Sequence, residues 1–263
     1  AEKVVEKIII REIERTNRDL LRKNEEIQNF YHTLSHELKT PLTSAREFIS
    51  IVMDGLAGPL NPTQSEYLGI ARESCNQLRV CINDLLDATR LETGKLSLDL
   101  KQESLPGVID RVLQTLRPAA EHKHIALAVE YAPDLPPVCI DPCRIAQVVT
   151  NLLNNAIKYS PNGGQVTVHA WNEGETLLFG VEDQGLGIPK EHLTKVFEKF
   201  HRVNNEDNRK IYGTGLGLFL VHHLVHQVHL GEIWVESEVN VGSTFKFRIP
   251  AHLDIEKAKA AND

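Results

Sequence analysis

From residue 4 to about residue 54, seam residues recur at alternating spacings of four and three: Ile9, Ile13, Thr16, Leu20, Lys23, Ile27, Phe30 and Leu34. This is the heptad rhythm of one long helix in a coiled coil, and it constrains the fold more than any other pattern in the chain. Thr16 and Lys23 at seam positions weaken the stretch and predict a rod that can shift. Residues 55–62 (Gly-Leu-Ala-Gly-Pro-Leu-Asn-Pro) cannot continue a helix and predict a turn. A second helix from about 63 to 92 carries Leu68, Ala71, Cys75, Leu78, Ile82 and Leu85 at heptad spacing, with Gly94 ending it. Two antiparallel helices with one apolar stripe each cannot bury both stripes alone. Two such hairpins make a four-helix bundle, and no second pair of similar length follows, so residues 1–94 are expected to form a homodimer.

After Gly94 the periodicity becomes mixed. The pattern predicts a strand at 95–100, a helix at 105–121 and a strand at 125–131. A loop containing Pro133, Pro136 and Pro137 precedes a helix at 142–159. Strands at 165–171 and 176–182 flank an Asn172-Glu173-Gly174 turn. A short helix at 192–197, a polar stretch, a helix at 217–229 and strands at 232–236 and 244–249 complete the reading. This order predicts an α+β sandwich, one sheet covered by helices on one face, with 251–263 as a loose tail.

Composition is that of an ordinary soluble globular protein, 41% hydrophobic and 25% charged over 263 residues. A net charge of −7 argues against a nucleic-acid partner. No apolar run approaches the roughly 18 residues of a membrane span, and no signal peptide is visible. The charged helical pattern at Ala1 reads as the cytoplasmic end of a longer protein, attached to a membrane, if at all, only through an upstream segment. Of the four cysteines, Cys75 falls on an apolar stripe, Cys81 follows six residues later, and Cys139-x-x-x-Cys143 lacks a second ligand pair at zinc-like spacing. Free thiols in a reducing compartment are expected.

Chemistry concentrates in a few stretches. Ser35-His36-Glu37-Leu38-Lys39-Thr40-Pro41-Leu42 puts a carboxylate beside a histidine and a hydroxyl one turn later. Thr40 stacks over His36, and at about 100° per residue His36 points roughly 200° away from Leu34 and the apolar stripe. An isolated histidine of this kind is ordinarily a plain surface residue. Beside a carboxylate that can accept its ring proton, it is also equipped to be a nucleophile. Pro41 removes one helix hydrogen bond just after it and predicts a hinge.

On the helix at 142–159, Gln147, Asn151, Asn155 and Lys158 share a face opposed to the core stripe of Ile145, Val148, Val149, Leu152 and Ala156. Asparagine is a mediocre helix former, so Asn151, Asn154 and Asn155 together need an explanation. Carboxamide oxygens suit a hard cation, and a lysine suits a phosphate. Asp183-Gln-Gly185-Leu-Gly187-Ile188 follows a strand, where glycines allow close ligand approach and Asp183 can accept from an exocyclic amine. Gly213-Thr214-Gly215-Leu216-Gly217-Leu218 leads into a helix and offers backbone N–H groups to phosphate. Between them, residues 199–212 are polar and cationic, with Arg202, Arg209 and Lys210, as a lid over phosphates would be.

Together these stretches resemble the sensor histidine kinases of bacterial two-component systems. His36 resembles the phosphoacceptor box, 151–159 the N box, 183–187 the G1 box, 197–200 (Phe-Glu-Lys-Phe) the F box, 213–217 the G2 box, and Gly242-Ser-Thr244 the last glycine turn. The resemblance spans roughly residues 30–250. It implies a signalling coiled coil at 1–29, a dimerisation and phosphotransfer domain at 30–94, a Bergerat-type ATP-binding domain at 95–250 and a tail at 251–263. It further implies that His36 takes the γ-phosphoryl group of ATP and passes it to an aspartate of a response regulator receiver domain, under control of an upstream sensor module. Glu37 would be the base, and Thr40 would position water for regulator dephosphorylation. Asn155, helped by Asn151, would hold Mg²⁺. Lys158, Tyr159 and Arg202 would contact phosphates, and Asp183 would read adenine. Gly185, Gly187, Ile188, Phe200, Gly213, Thr214, Gly215, Leu216, Gly217, Leu218 and Thr244 complete the implied nucleotide site.

The family commonly has His-Gly-Gly after the helix that follows the G2 box. Here Val228-His229-Leu230-Gly231 reads one residue longer, and Leu230 is expected to avoid the left-handed conformation. His222, His223, His226 and His229 are read as exposed surface residues, although His222 and His226 are spaced to chelate a metal. Two alternatives remain beside the kinase. One is a related ATPase clamp of the chaperone or topoisomerase kind, which would need a glutamate base where Asn151 stands. The other is a nucleotide-binding scaffold without phosphotransfer.

Overall fold

A computed structural model describes residues 2–92, 98–203 and 213–251. Gly94, Arg209, Lys210, the rest of the expected lid beyond Val203 and the tail beyond Ala251 lie outside the described residues. The chain divides into two compact units, Ala1–Leu96 and Ser97–Asp263.

The first unit is a helical hairpin of α1 (Glu2–Met53) and α2 (Pro62–Glu92). Pro41 stands inside α1, which continues as one helix on both sides of it. Pro41 has no N–H to give, while the Thr40 Oγ1 donates to the His36 carbonyl at 3.1 Å. The turn uses the left-handed Gly55 (φ 79°) and Gly58 (φ 111°). At the start of α2, the Asn61 Oδ1 accepts from the Gln64 N–H at 2.8 Å and the Gln64 Oε1 accepts from the Asn61 N–H at 3.0 Å. This reciprocal capping, with Pro62 as the first helical residue, explains why the helix begins there. Seam residues Ile13, Phe30 and Leu78 are 62%, 62% and 51% exposed in the single protomer, so the hairpin leaves an apolar stripe open.

The second unit contains β1 (Lys101–Glu103), α3 (Leu105–His122), β2 (Ile125–Tyr131), β3 (Val138–Ile140), α4 (Pro142–Lys158), β4 (Gly164–Glu173) and β5 (Thr176–Asp183). α5 (Gly217–His223), β6 (Glu232–Glu238) and β7 (Gly242–Pro250) follow. Five strands form one sheet in the order β2-β4-β5-β7-β6. β2 and β4 are parallel, and the remaining pairs are antiparallel. One sheet face carries Val166, Val168, Phe179, Val181, Phe245 and Phe247 into the core, with Phe179 and Phe247 stacked at 4.9 Å. The core stripe of α4, including Ile145, Val148, Val149 and Leu152, is fully buried. Asp141 caps α4, its Oδ1 accepting from the Cys143 N–H at 3.0 Å and the Arg144 N–H at 3.1 Å.

Several sequence expectations are corrected. Residues 98–100 are not a strand. The edge segment is β1, which pairs antiparallel with β3, a ribbon too short to declare an alternating pattern. The short helix expected at 192–197 is a 3₁₀ turn at Lys190–His192. The helix expected at 217–229 is α-helical only to His223 and then widens into a π-helical turn, Leu224–Val228. Leu230 adopts the left-handed conformation it was expected to avoid (φ 50°). Gly231 next to it is committed elsewhere: its N–H donates to the Val225 carbonyl at 2.9 Å, and a Cβ there would meet the Arg248 carbonyl oxygen at 2.2 Å. The chain reversal therefore falls on Leu230.

His229, expected on the surface, is fully buried. Its Nδ1–H donates to the Leu224 carbonyl at 2.8 Å and its Nε2 accepts the Asp141 N–H at 3.3 Å, so both ring nitrogens are satisfied. The ring thereby ties the end of the π-turn to the capping residue of α4. All four cysteines are free thiols; Cys139 is buried, Cys143 is exposed, and Cys75 and Cys81 are half-buried.

Candidate nucleotide-binding site

The polar face of α4 forms one wall of a cleft lined by Asn155, Tyr159, Asp183, Gly187, Ile188 and Leu218 from the predicted set. Arg202 lines it too, as do Val196, His201, Val203, Ser243 and Phe245, which the motifs do not mark. Ser243 is legible from strand register once β7 lies beside β5, because it pairs with Asp183, and alternation then turns Phe245 the same way. The apolar walls carry no motif. His201 is the neighbour of Arg202, and its Nε2 lies 3.1 Å from the Nδ1 of His192.

Asp183 ends β5 and is 6% exposed. Burial pushes its carboxyl up to about 6, against N–H groups of Gly185 and Ser243 that favour the charge. The Gly185 N–H donates to its Oδ1 at 2.9 Å. The loop after Asp183 is pressed against its neighbours. The Leu186 N–H donates to the Tyr159 carbonyl at 3.0 Å and the Ile188 N–H to the Ser237 Oγ at 2.8 Å. Gly187 (φ 67°) admits no side chain, because a Cβ would meet the Glu238 carbonyl oxygen at 2.0 Å.

Lys158, at the end of α4, is half-buried, and burial with the nearby Arg202 and Lys123 pushes its ammonium down to about 8. A Cβ on Gly213 would lie 2.6 Å from its Nζ, so the glycine loop 213–217 approaches the lysine closely. Likewise a Cβ on Gly217 would lie 3.4 Å from the Asn151 Oδ1. Asn151, Lys158, Gly185 and the loop 213–217 thus border the cleft without lining it, Thr214 Oγ1 accepting the Leu216 N–H at 3.1 Å. Asn155 and Asn151 supply the carboxamide oxygens that fit a hard divalent cation.

Two predicted contacts fall elsewhere. Phe200 is 64% exposed, with left-handed backbone (φ 59°). Its role here is backbone: its N–H donates to the Gly215 carbonyl at 3.0 Å, tying residues 197–200 to the glycine loop. Thr244 alternates to the other sheet face, and its neighbour Ser243 lines the cleft instead. His36, Glu37 and Thr40 all lie exposed on α1 in the first unit.

A mixed sheet with its helices on one face, a capped asparagine-rich helix and two glycine loops around a buried aspartate define an ATPase domain of a known class. Residues 140–253 match the family described as Histidine kinase-, DNA gyrase B-, and HSP90-like ATPase. Residues 26–94 match the His Kinase A (phospho-acceptor) domain. The chain belongs to the sensor histidine kinases. It is 37% identical over 229 residues to the circadian input-output histidine kinase CikA of Synechococcus elongatus, covering 86% of this chain and 30% of that protein. It is 32% identical over 233 residues to the sensor histidine kinase WalK of Bacillus subtilis, covering 86% and 37%. Full-length ShkA, solved in complex with AMPPNP, is similar in structure with a TM-score of 0.69 at 29% identity, covering 84% of this chain and 45% of that one. The chain spans about a third of the length of the curated relatives it matches. No helix among the described residues is long and apolar enough to cross a membrane.

Proposed function

We propose that this chain is an ATP-dependent protein histidine kinase core that phosphorylates itself on His36 and hands the phosphoryl group to an aspartate of a response regulator. The observation that carries the reading is the cleft that joins the buried Asp183 carboxylate with Asn155 and Arg202, beside the low-affinity-for-proton Lys158. Asp183 accepts from the adenine amine, and Lys158, Tyr159 and Arg202 hold the phosphates. Asn155 and Asn151 hold Mg²⁺, which supplies charge neutralisation on the phosphates.

His36 is exposed on α1 with Glu37 beside it. One imidazole nitrogen attacks the γ-phosphorus, the bond to the bridging oxygen of ADP breaks, and the proton on the other ring nitrogen passes to Glu37. The Thr40 hydroxyl, whose hydrogen bonds the His36 carbonyl, keeps its oxygen lone pairs for a water that would attack a phosphorylated regulator. Residues 30–94 form the dimerisation and phosphotransfer domain, the open stripe of the hairpin being covered by a second copy. Residues 95–250 form the ATP-binding domain, residues 1–29 the signalling helix from an upstream sensor, and residues 251–263 a tail. The whole acts in the cytoplasm.

The test is incubation with γ-labelled ATP and Mg²⁺, comparing wild type with His36→Gln. Acid-labile, alkali-stable protein label that vanishes in the variant is the expected result. Release of free phosphate without protein label would replace the kinase with an ATPase clamp.

A further inference from the structure

A second cleft on the ATP-binding domain shares no lining residue with the first and is walled by His222, His226, Leu230, Glu232, Ile233 and Arg248 among others. The geometry points to a site there for a borderline divalent transition cation, of the Zn²⁺, Ni²⁺ and Cu²⁺ class, bound by His222 and His226. The inference does not rest on the kinase reading.

The two rings are nearly parallel, 20° apart, with centroids separated by 5.7 Å. Two imidazoles sharing one cation at metal–nitrogen distances of about 2.0–2.1 Å have centroids about 5 Å apart, so small side-chain rotations bring this pair into chelating range. The surroundings suit the same chemistry. His222 packs its ring on Phe197, centroids 5.9 Å apart, and burial together with His223 and His226 lowers its tendency to protonate. A cation binds only the unprotonated ring, and an apolar backing orients a ligand and limits solvent on one side. His226 is exposed and leaves the other side open to water ligands. The Glu232 carboxylate lines the same cleft, paired with Arg248. Nitrogen donors select borderline transition ions over Mg²⁺, which distinguishes this site from the one formed by the asparagines.

The backbone adds an independent observation. The pair straddles the junction where α5 passes into the π-turn, so its spacing is set by a widened helix. Such turns concentrate at functional sites, as does strained backbone, and the left-handed Leu230 lies on the rim of this cleft. No group of three His, Cys, Asp or Glu converges for a metal among the described residues. The protein therefore contributes two ligands and water the others, the arrangement of an exchangeable site and not of a structural one.

The experiment is calorimetric titration of the chain with Zn²⁺ alone, without nucleotide, for wild type, His226→Ala and His192→Ala. His226 is exposed, so its truncation leaves the fold intact, and His192 controls for the other close histidine pair. The expected result is one bound equivalent in wild type and in His192→Ala, with affinity reduced at least tenfold in His226→Ala. Cu²⁺ electron paramagnetic resonance should show two nitrogen ligands in wild type and one in His226→Ala. Equal affinity in wild type and His226→Ala, or loss of the equivalent in His192→Ala, would overturn the assignment.

Discussion

Asp183 carries two demands that oppose each other. In the proposed role of adenine reader it works best ionised, yet its burial raises the carboxyl from 3.8 to about 6. A carboxyl whose folded value is raised binds its proton more tightly in the native state. Its favourable contribution is complete below the unfolded value of 3.8 and is lost as pH rises through about 6. Above that pH the ionised group opposes folding by an amount on the order of 3 kcal/mol. Asp183→Asn keeps an acceptor for the Gly185 N–H and removes the charge. We expect the variant to be more stable than wild type at pH 7.5, by at least about 1 kcal/mol in urea titrations, while ADP affinity falls at least tenfold. In wild type, ADP affinity should decline as pH drops below about 6, and in the variant that dependence should flatten. An unchanged affinity in Asp183→Asn would remove this residue from the site. The residue's candidacy is legible from the glycines that follow it. The conflict is not, because it arises from burial under β7 and the loop after β5, which only the tertiary fold creates.

At the scale of elements, legibility followed the length of the repeat. α4 and β2 stand where the pattern puts them, because apolar residues at steps of three and four, or a sustained apolar run, need several residues to declare a period. β1 and β3 have three residues each and hide inside what reads as loop. The π-turn was illegible for a different reason. Its residues Leu224, Val225 and Val228 are all buried, so the apolar pattern alone fits either helix pitch. Here the helix ends in a wider turn followed by a strained reversal at Leu230. Leu230→Gly should relieve that reversal and stabilise the domain by about 1 kcal/mol in chemical denaturation, with the side chain 40% exposed and little packing to lose. Destabilisation instead would show that the leucine side chain matters more than its backbone. The candidate site was legible where it uses polar residues in runs, and illegible at Val196, Val203 and Phe245, whose contribution is shape.

For the molecule as a whole, the proposed nucleophile His36 and the candidate nucleotide cleft belong to separate units of the chain. In the sequence a heptad pattern gives way to mixed periods at Gly94, and the compact units divide between Leu96 and Ser97. The single long helix expected from the heptad pattern is present, since α1 runs as one element from Glu2 to Met53 with Pro41 inside it. A helix of 52 residues is a shaft roughly 78 Å long, and a shaft has an angular phase as well as a length. Each inserted residue advances that phase by about 100°, whereas seven inserted residues return it to within about 20°. Insertions between Arg18 and Asp19 should therefore scale autophosphorylation by their angle and not by their size, with seven residues tolerated and two or four not. Measured rates that fall steadily with insert length would mean that the shaft transmits no torque, and that what reaches His36 along α1 is only tension.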